Sequence, residues 1–260
     1  MEVEVVESYK ISYGTAPSQF GVLYLPQEKK SHPVVVTIHG GFWKMPYGLD
    51  QFDRLDRILV QQGYAVWNIE YRRVGEQGGG WSGTFQDATA SLNILKTMES
   101  CYMLDLSRVI LLGHSAGGHL VLWLASKMNQ RETGNADTRI QVPVKGVISL
   151  AGITDMREMW RENPQYVSDF MGGTPQNFPE RYQYASPIDQ LPTSIPQILV
   201  HGKADEDVPV RISQEYYEKA QKCGNPVELK IFPGMDHFDL IDPSSEAWKY
   251  VGNMLNRWTK

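Results

Sequence analysis

Cysteine is scarce in this sequence, with only Cys101 and Cys223 among 260 residues. Two cysteines provide no disulfide framework, and the absence of a CxxC pair excludes a common zinc-binding pattern. No HxxxH motif or carboxylate cluster suggests a metal site either. We therefore expect neither a metal nor a cofactor.

Long apolar runs and basic clusters are missing too. No apolar segment approaches the roughly 18–20 residues needed to span a bilayer. The acidic, alternating start of the chain does not have the pattern of a signal peptide. The net charge is −5, and no group of lysines and arginines forms the footprint of a nucleic-acid site. We expect a cytoplasmic protein that binds neither membrane nor nucleic acid.

Short apolar runs alternate along the chain with stretches of helical periodicity. Residues 34–38 form a continuous β-branched run, which is typical of a strand buried on both faces. Strands that alternate with helices predict a mostly parallel sheet of about eight strands with helices on both faces. The other predicted strands cover residues 65–69, 109–112, 144–150, 198–200 and 227–232, and residues 3–9 and 19–25 are predicted to form an antiparallel pair.

Residues 153–192 interrupt this alternation, being rich in Pro, Met, Trp and Tyr and without a clean period. The segment is too long for a plain connection of about 2–6 residues between a strand and a helix. We interpret it as a lid-like insertion above the carboxyl edge of the sheet, within a single domain of residues 1–260. A surface insertion without a role is the alternative.

The strongest chemical signal is the motif Gly113-His114-Ser115-Ala116-Gly117, between an apolar strand and an apolar helix. This strand–turn–helix context is the one that a nucleophile elbow requires. Glycines flank the serine because a Cβ there would collide with neighbouring backbone. Ser115 is therefore the predicted nucleophile.

A second motif, His39-Gly40-Gly41-Phe42-Trp43, directly follows the predicted strand 34–38. Acyl transfer builds negative charge on a carbonyl oxygen, and backbone N–H groups aimed at that oxygen stabilise it. In the α/β-hydrolase pattern this loop and the residue after the nucleophile supply the donors. The predicted oxyanion hole consists of the N–H groups of Gly41, Phe42 and Ala116.

An acid and a histidine follow the last two predicted strands, in the order that this fold uses. Asp205 and Asp207 compete for the role of the acid, and Asp205 is favoured because it lies closer to the strand end. His237 lies in the loop after residues 227–232 and is the predicted general base.

Several aromatic residues lie on loops expected at the same edge of the sheet. Pockets are mostly apolar with a few placed polar groups, so an apolar or aromatic substrate group is expected there. The predicted substrate-binding residues are Trp43, Trp81, Trp160 and Phe238.

Together, the sequences HGGFW, GHSAG, HGxxDxxVP and DHFDLID resemble those of kynurenine formamidase (arylformamidase) and related small bacterial esterases. The resemblance extends from about residue 34 to the C-terminus. It implies an α/β-hydrolase fold in which Ser115, Asp205 and His237 match the triad and residues 39–43 match the oxyanion motif. It also implies cofactor-independent hydrolysis of N-formylkynurenine or of aryl and short acyl esters.

The expected partner is a small ester or amide substrate, and the exposed edges of such a sheet permit a homodimer. An oligopeptidase-like peptidase is one alternative, although such enzymes normally carry an additional gating domain. A non-catalytic ligand-binding receptor on the same fold is another, since fold alone does not fix function. Such receptors typically lose a triad residue or the oxyanion glycines, and this chain keeps both.

Overall fold

The computed structural model of the protein describes residues 7–128 and 139–259. Eight strands form one sheet, in the order β1-β2-β4-β3-β5-β6-β7-β8. They are β1 (Glu7–Ser12), β2 (Phe20–Leu25), β3 (His32–Ile38), β4 (Ala65–Ile69), β5 (Leu104–His114), β6 (Gly146–Leu150), β7 (Gln197–Gly202) and β8 (Val227–Phe232).

Strands β1 and β2 are antiparallel to each other, and β2 is antiparallel to β4. All pairings from β4 through β8 are parallel. The prediction of a mostly parallel, eight-stranded α/β sheet is therefore confirmed. The first predicted strand is shifted: β1 runs on to Ser12, and residues 3–6 lie outside the described residues.

Nine helices belong to the described part of the chain. They are α1 (Asp53–Gln61), α2 (Gly83–Asn93), α3 (Leu95–Tyr102), α4 (Ala116–Lys127), α5 (Met156–Glu162), α6 (Pro164–Met171), α7 (Pro179–Ala185), α8 (Arg211–Lys222) and α9 (Glu246–Thr259). None of the helices described is long and apolar enough to cross a membrane.

The sheet separates two apolar cores because successive strand side chains point to opposite faces. In β3, Val34 and Val36 belong to the core that also contains residues of α2, α4 and α8, whereas Val35 belongs to the core on the other face, with residues of α1 and α9. Helices thus cover both faces. The carboxyl ends of the parallel strands meet along one edge, where open α/β sheets place their ligand sites.

Residues 153–192, the predicted insertion, contain three short helices, α5 to α7. Helix α5 begins after Asp155, whose side chain accepts hydrogen bonds from the backbone N–H groups of Arg157 and Glu158. Val167 and Phe170 of α6 are fully buried and belong to the same core as α2 and α4. The insertion is therefore packed onto the domain, and its action as a lid stays a prediction.

Candidate active site

Ser115 lies at the junction between β5 and α4, with φ +56° and ψ −118°. This positive φ is strained for a residue with a side chain, and such strain clusters at functional sites. The surroundings enforce it: a Cβ on Gly113 would lie 2.3 Å from the carbonyl oxygen of Gly117, and one on Gly117 would lie 1.9 Å from that of Ile38. The Ser115 N–H donates to the Leu150 carbonyl at 2.8 Å, which fixes the turn against β6.

The loop after β3, residues 40–48, passes directly beside this turn and is here called the glycine loop. A Cβ on Gly40 would lie 2.9 Å from the Cβ of Ser115. Gly41, Phe42 and Trp43 have successive positive φ values of +97°, +50° and +54°. Such consecutive backbone turns can direct N–H groups towards a common anion.

Some backbone N–H groups of the glycine loop already donate a hydrogen bond within the protein, and others do not. The Gly40 N–H donates to Gln51 Oε1 at 2.7 Å and is therefore occupied. Within the described ranges, the N–H groups of Gly41, Phe42 and Ala116 have no hydrogen-bond acceptor. These three are the predicted oxyanion donors, and no acceptor of the described chain occupies them.

His237 and Asp205 form a buried pair in the loops after β8 and β7. His237 Nδ1 lies 2.7 Å from Asp205 Oδ2. The other oxygen, Oδ1, accepts the backbone N–H groups of Asp207 at 3.0 Å and Val208 at 2.8 Å. The geometry thus favours Asp205 over Asp207 as the partner of the histidine.

Asp205 is held in its ionised form despite its burial. Burial by itself raises the pKa of this carboxyl, but hydrogen bonds from His201 and His237, the charge of His237 and the Val208 N–H outweigh it. The net result is a pKa well below the usual range, so the carboxylate is charged whenever the protein is folded near neutral pH.

His114 connects the serine turn to the His237 loop, a role that sequence reasoning missed. Its Nε2–H donates to the backbone carbonyl of His237 at 2.9 Å, and the two imidazole rings are 4.5 Å apart. Burial and the charge of His237 lower the pKa of His114 to about 3, so it acts as a neutral donor. The sequence signal that could have indicated this role is a polar residue at the end of an otherwise apolar strand.

Among the hydrogen bonds of the described residues, none joins Ser115 Oγ to His237 Nε2. Catalytic hydrogen bonds are often long or poorly aligned without substrate and tighten when it binds. Both side chains are almost fully buried, at 2% and 4% exposure, and His114 contacts His237 from the position next to Ser115.

Two adjoining depressions lie at this edge of the sheet, and His237 lines the first of them. One, of about 340 Å³, is lined by Ala204, Glu206, Asp207, Asp236, His237 and Phe238. The other, of about 250 Å³, is lined by Phe42, Lys44, Tyr47, Asn163, Tyr166, Glu206 and Asp207. Both share Glu206 and Asp207, so they form one groove, here called the catalytic groove.

Of the four predicted substrate-binding aromatics, only Phe238 lines the catalytic groove, with 59% of its surface exposed. Trp43 is fully buried and stacks on Phe170 at 4.3 Å between ring centroids. Trp81 packs edge-on against Phe85 and Tyr184. Because Trp43 supports the loop from the core, its predicted contact with substrate is corrected to a packing role.

Trp160 is half-buried and donates its Nε1–H to Ser168 Oγ at 2.9 Å within the insertion. Like Trp81, it is not among the residues that line the groove. Sequence reasoning missed Tyr47 and Tyr166, which are exposed at the groove and contribute the aromatic surface expected of the tryptophans.

One group of described residues could geometrically hold a metal ion: Asp205, Asp207 and His237 have ligand atoms within 4.8 Å of one another. However, Asp205 Oδ2 and His237 Nδ1 already bind each other at 2.7 Å. A metal would have to break that pair, so the donor set suits a triad better than a metal site.

Known proteins resemble this chain over almost its whole length. YtmA of Bacillus subtilis (strain 168), described as an uncharacterized peptidase, is 26% identical over 246 residues, which cover 92% of this chain and 88% of YtmA. The kynurenine formamidase of Danio rerio is 25% identical over 240 residues, 89% of this chain and 75% of the formamidase.

Among solved structures, esterase B from Lactobacillus Rhamnosis (HN001) superposes with a TM-score of 0.83 at 23% identity, over 98% of this chain and 85% of esterase B. This likeness shows that the fold is the α/β-hydrolase fold, as predicted. The family described as BD-FAE matches residues 22–220, well over half of the chain. The chain therefore belongs to the BD-FAE family, in the esterase and arylformamidase-like branch of the α/β-hydrolases.

Proposed function

We propose that the protein is a serine hydrolase that cleaves small carboxylic esters through an acyl-enzyme. The observation that carries the proposal is the convergence at one sheet edge of a strained Ser115, a buried His237–Asp205 pair and three available N–H groups. Nucleophile, base, orienting acid and oxyanion donors are the four parts that acyl transfer requires.

In the proposed mechanism, His237 Nε2 takes the proton of Ser115 Oγ as the oxygen attacks the carbonyl carbon. The negative charge that develops on the carbonyl oxygen is bound by the N–H groups of Gly41, Phe42 and Ala116. His237 then protonates the leaving alcohol or amine, and a water molecule, activated by the same histidine, releases the acid. Asp205 keeps the Nδ1 proton in place and stabilises the imidazolium.

The residues that line the catalytic groove favour uncharged substrates with an aromatic or apolar group. Glu206 and Asp207 lie at its centre and form no ion pair within the described chain, so an anionic substrate would meet like charge. Phe42 and Tyr166 provide an aromatic wall, with ring centroids 4.9 Å apart. Neutral aryl esters therefore fit this surface better than substrates with a net negative charge.

The test compares wild type with Ser115→Ala on p-nitrophenyl acetate, on N-formylkynurenine and on a peptide p-nitroanilide. Loss of the nucleophile should reduce kcat by up to about 10⁶. Ester turnover that depends on Ser115 and exceeds formamide turnover supports the proposal. Faster cleavage of N-formylkynurenine indicates a formamidase, and faster peptide cleavage indicates the peptidase suggested by the name of YtmA.

Labelling with a fluorophosphonate provides a control that does not depend on the choice of substrate. Covalent modification of wild type and not of Ser115→Ala is expected of an activated serine. A protein that neither reacts with the probe nor hydrolyses any of the three substrates would be the non-catalytic receptor.

A further inference from the structure

Both ends of the glycine loop are tied to one buried carboxylate, that of Glu70, which directly follows β4. We infer that Glu70 is a positioning residue that sets the geometry of the oxyanion donors Gly41 and Phe42. The inference rests on the proposed function, because it assigns Glu70 to the same acyl-transfer site.

The first oxygen of Glu70 holds the start of the loop. Oε1 lies 2.8 Å from His39 Nε2 and also accepts the Tyr71 N–H at 3.0 Å. The His39 ring is stacked on Tyr71, with centroids 4.3 Å apart, and its Nδ1 lies 2.8 Å from the carbonyl oxygen of Gly40. The carboxylate thus controls the backbone immediately before Gly41.

The second oxygen holds the end of the loop. Oε2 accepts the Leu49 N–H at 3.2 Å and lies 3.4 Å from Arg73 Nη1. The same guanidinium nitrogen donates to the Tyr47 carbonyl. Gly48 allows this approach, since a Cβ there would lie 2.8 Å from Oε2.

Several groups hold the Glu70 carboxylate in its ionised form. His39 Nε2 lies 2.8 Å from Oε1, and Arg73 Nη1 lies 3.4 Å from Oε2. Burial raises the pKa of Glu70, but the hydrogen bond and charge of His39 and the charge of Arg73 outweigh it and lower the pKa. A buried, ionised carboxylate therefore lies beneath the glycine loop, with one oxygen directed to each end of the loop.

The loop needs such an external hold because its own conformation is unfavourable. Phe42 and Trp43 have positive φ values, which cost energy for residues with a side chain. A strained segment persists only when its surroundings fix it, and oxyanion donors are effective only when they are fixed before charge develops. Releasing either end should therefore impair transition-state binding more than ground-state binding.

Glu70→Gln is the informative substitution. A carboxylate accepts on both oxygens, whereas an amide accepts on one side only, so its NH₂ must face either His39 and Tyr71 or Leu49 and Arg73. A backbone N–H group beside one end of the loop, that of Tyr71 or that of Leu49, then loses its acceptor whichever way the amide turns. With p-nitrophenyl acetate we expect kcat to fall about 10–100-fold, below the 10²–10³ lost with a whole donor, and KM to change less than about 3-fold.

Asp87→Asn is the matched control, because it weakens another buried ion pair of the same segment. Asp87 accepts the Arg72 N–H at 2.8 Å and pairs with the Arg72 guanidinium at 2.7 Å, away from the glycine loop. If its kcat falls as much as that of Glu70→Gln, or if Glu70→Gln keeps kcat within about 3-fold of wild type, the inference is wrong.

A second readout separates positioning from loss of stability. A phenylboronic acid forms a tetrahedral adduct with the serine, and its affinity should fall by the same factor as kcat/KM in Glu70→Gln. Unchanged boronate affinity would overturn the inference. If Glu70→Gln does not fold, Arg73→Lys replaces it, since lysine keeps the charge but loses the multiple contacts of the guanidinium, and the same kcat and boronate criteria apply.

Failure of the inference can be told from failure of the proposed function. If wild-type turnover does not depend on Ser115, the proposed function fails. If turnover depends on Ser115 but is insensitive to Glu70→Gln, only the positioning role fails.

Discussion

Replacing Asp205 by asparagine should leave the fold intact and reverse the proton arrangement of His237. Oδ1 accepts the backbone N–H groups of Asp207 and Val208 at 3.0 and 2.8 Å, so the oxygen of the asparagine will stay there. The NH₂ group then takes the place of Oδ2, 2.7 Å from His237 Nδ1. Since an amide nitrogen donates, Nδ1 must become the acceptor and the ring proton must move to Nε2.

A histidine protonated on Nε2 cannot accept the proton of Ser115. For the same tautomer error in a serine protease, kcat falls by about 10⁴, or about 5.4 kcal/mol of transition-state stabilisation. We expect a loss of that order for Asp205→Asn in kcat/KM on p-nitrophenyl acetate. Asp207→Asn, which leaves the His237–Asp205 pair untouched, should stay within about 3-fold of wild type.

Far-UV circular dichroism and thermal melts of both variants establish whether they are folded. Asp205→Asn retaining more than about a tenth of the activity would refute the reasoning, because the tautomer argument leaves no such residual rate. If Asp207→Asn loses as much activity as Asp205→Asn, the orienting role does not belong to Asp205 alone and the assignment is wrong.

Three further outcomes follow from individual contacts. Gly117→Ala places a Cβ 1.9 Å from the Ile38 carbonyl oxygen and should lower the free energy of unfolding in urea by about 1–3 kcal/mol. Gly252→Ala is the control and should not, because a Cβ at that position has no other atom within 4 Å. Phe238→Ala removes an exposed groove side chain, so KM for aryl esters should rise about 3–10-fold with little change in kcat. Burial lowers the pKa of Lys127 to about 8, so above that pH the folded state binds fewer protons than the unfolded state. The free energy of unfolding of the wild type should therefore rise between pH 8 and about 10, and that of Lys127→Met should not.

The strands could be predicted because burial on both faces makes them continuous apolar runs. The predicted bounds of β4 and β8 match the structure, whereas β5 begins earlier, at Leu104, through a polar stretch that contains Asp105 and Ser107. Helix α1 was overlooked although Leu55 and Leu59 have helical spacing and are buried. Helices α5 to α7 have only seven or eight residues each, too few for a period to emerge.

The catalytic candidates could be predicted because each belongs to a local motif in a fixed chain order. The supporting contacts could not, because they depend on how separate loops return to the sheet. Glu70 reaches His39 only because β3 and β4 are parallel neighbours, with Ile38 paired with Ile69. For the same reason the sequence could not decide which aromatic residues reach the groove: periodicity and composition do not distinguish a buried Trp43 from an exposed Tyr166.

Two acid–histidine pairs lie on opposite sides of Ser115 in the sheet order. The two histidines differ in the partners of their ring nitrogens, and this difference gives the two pairs different roles. Glu70 and His39 follow β4 and β3, on one side of β5, and Asp205 and His237 follow β7 and β8, on the other. His39 is bound at both nitrogens, by the Gly40 carbonyl and by Glu70, so neither nitrogen is free to contact another group. His237 is bound only at Nδ1 within the described chain and lines the catalytic groove. The same pairing thus holds a loop on one side and leaves a ring nitrogen without a partner in the described chain on the other, and only the second arrangement suits a general base.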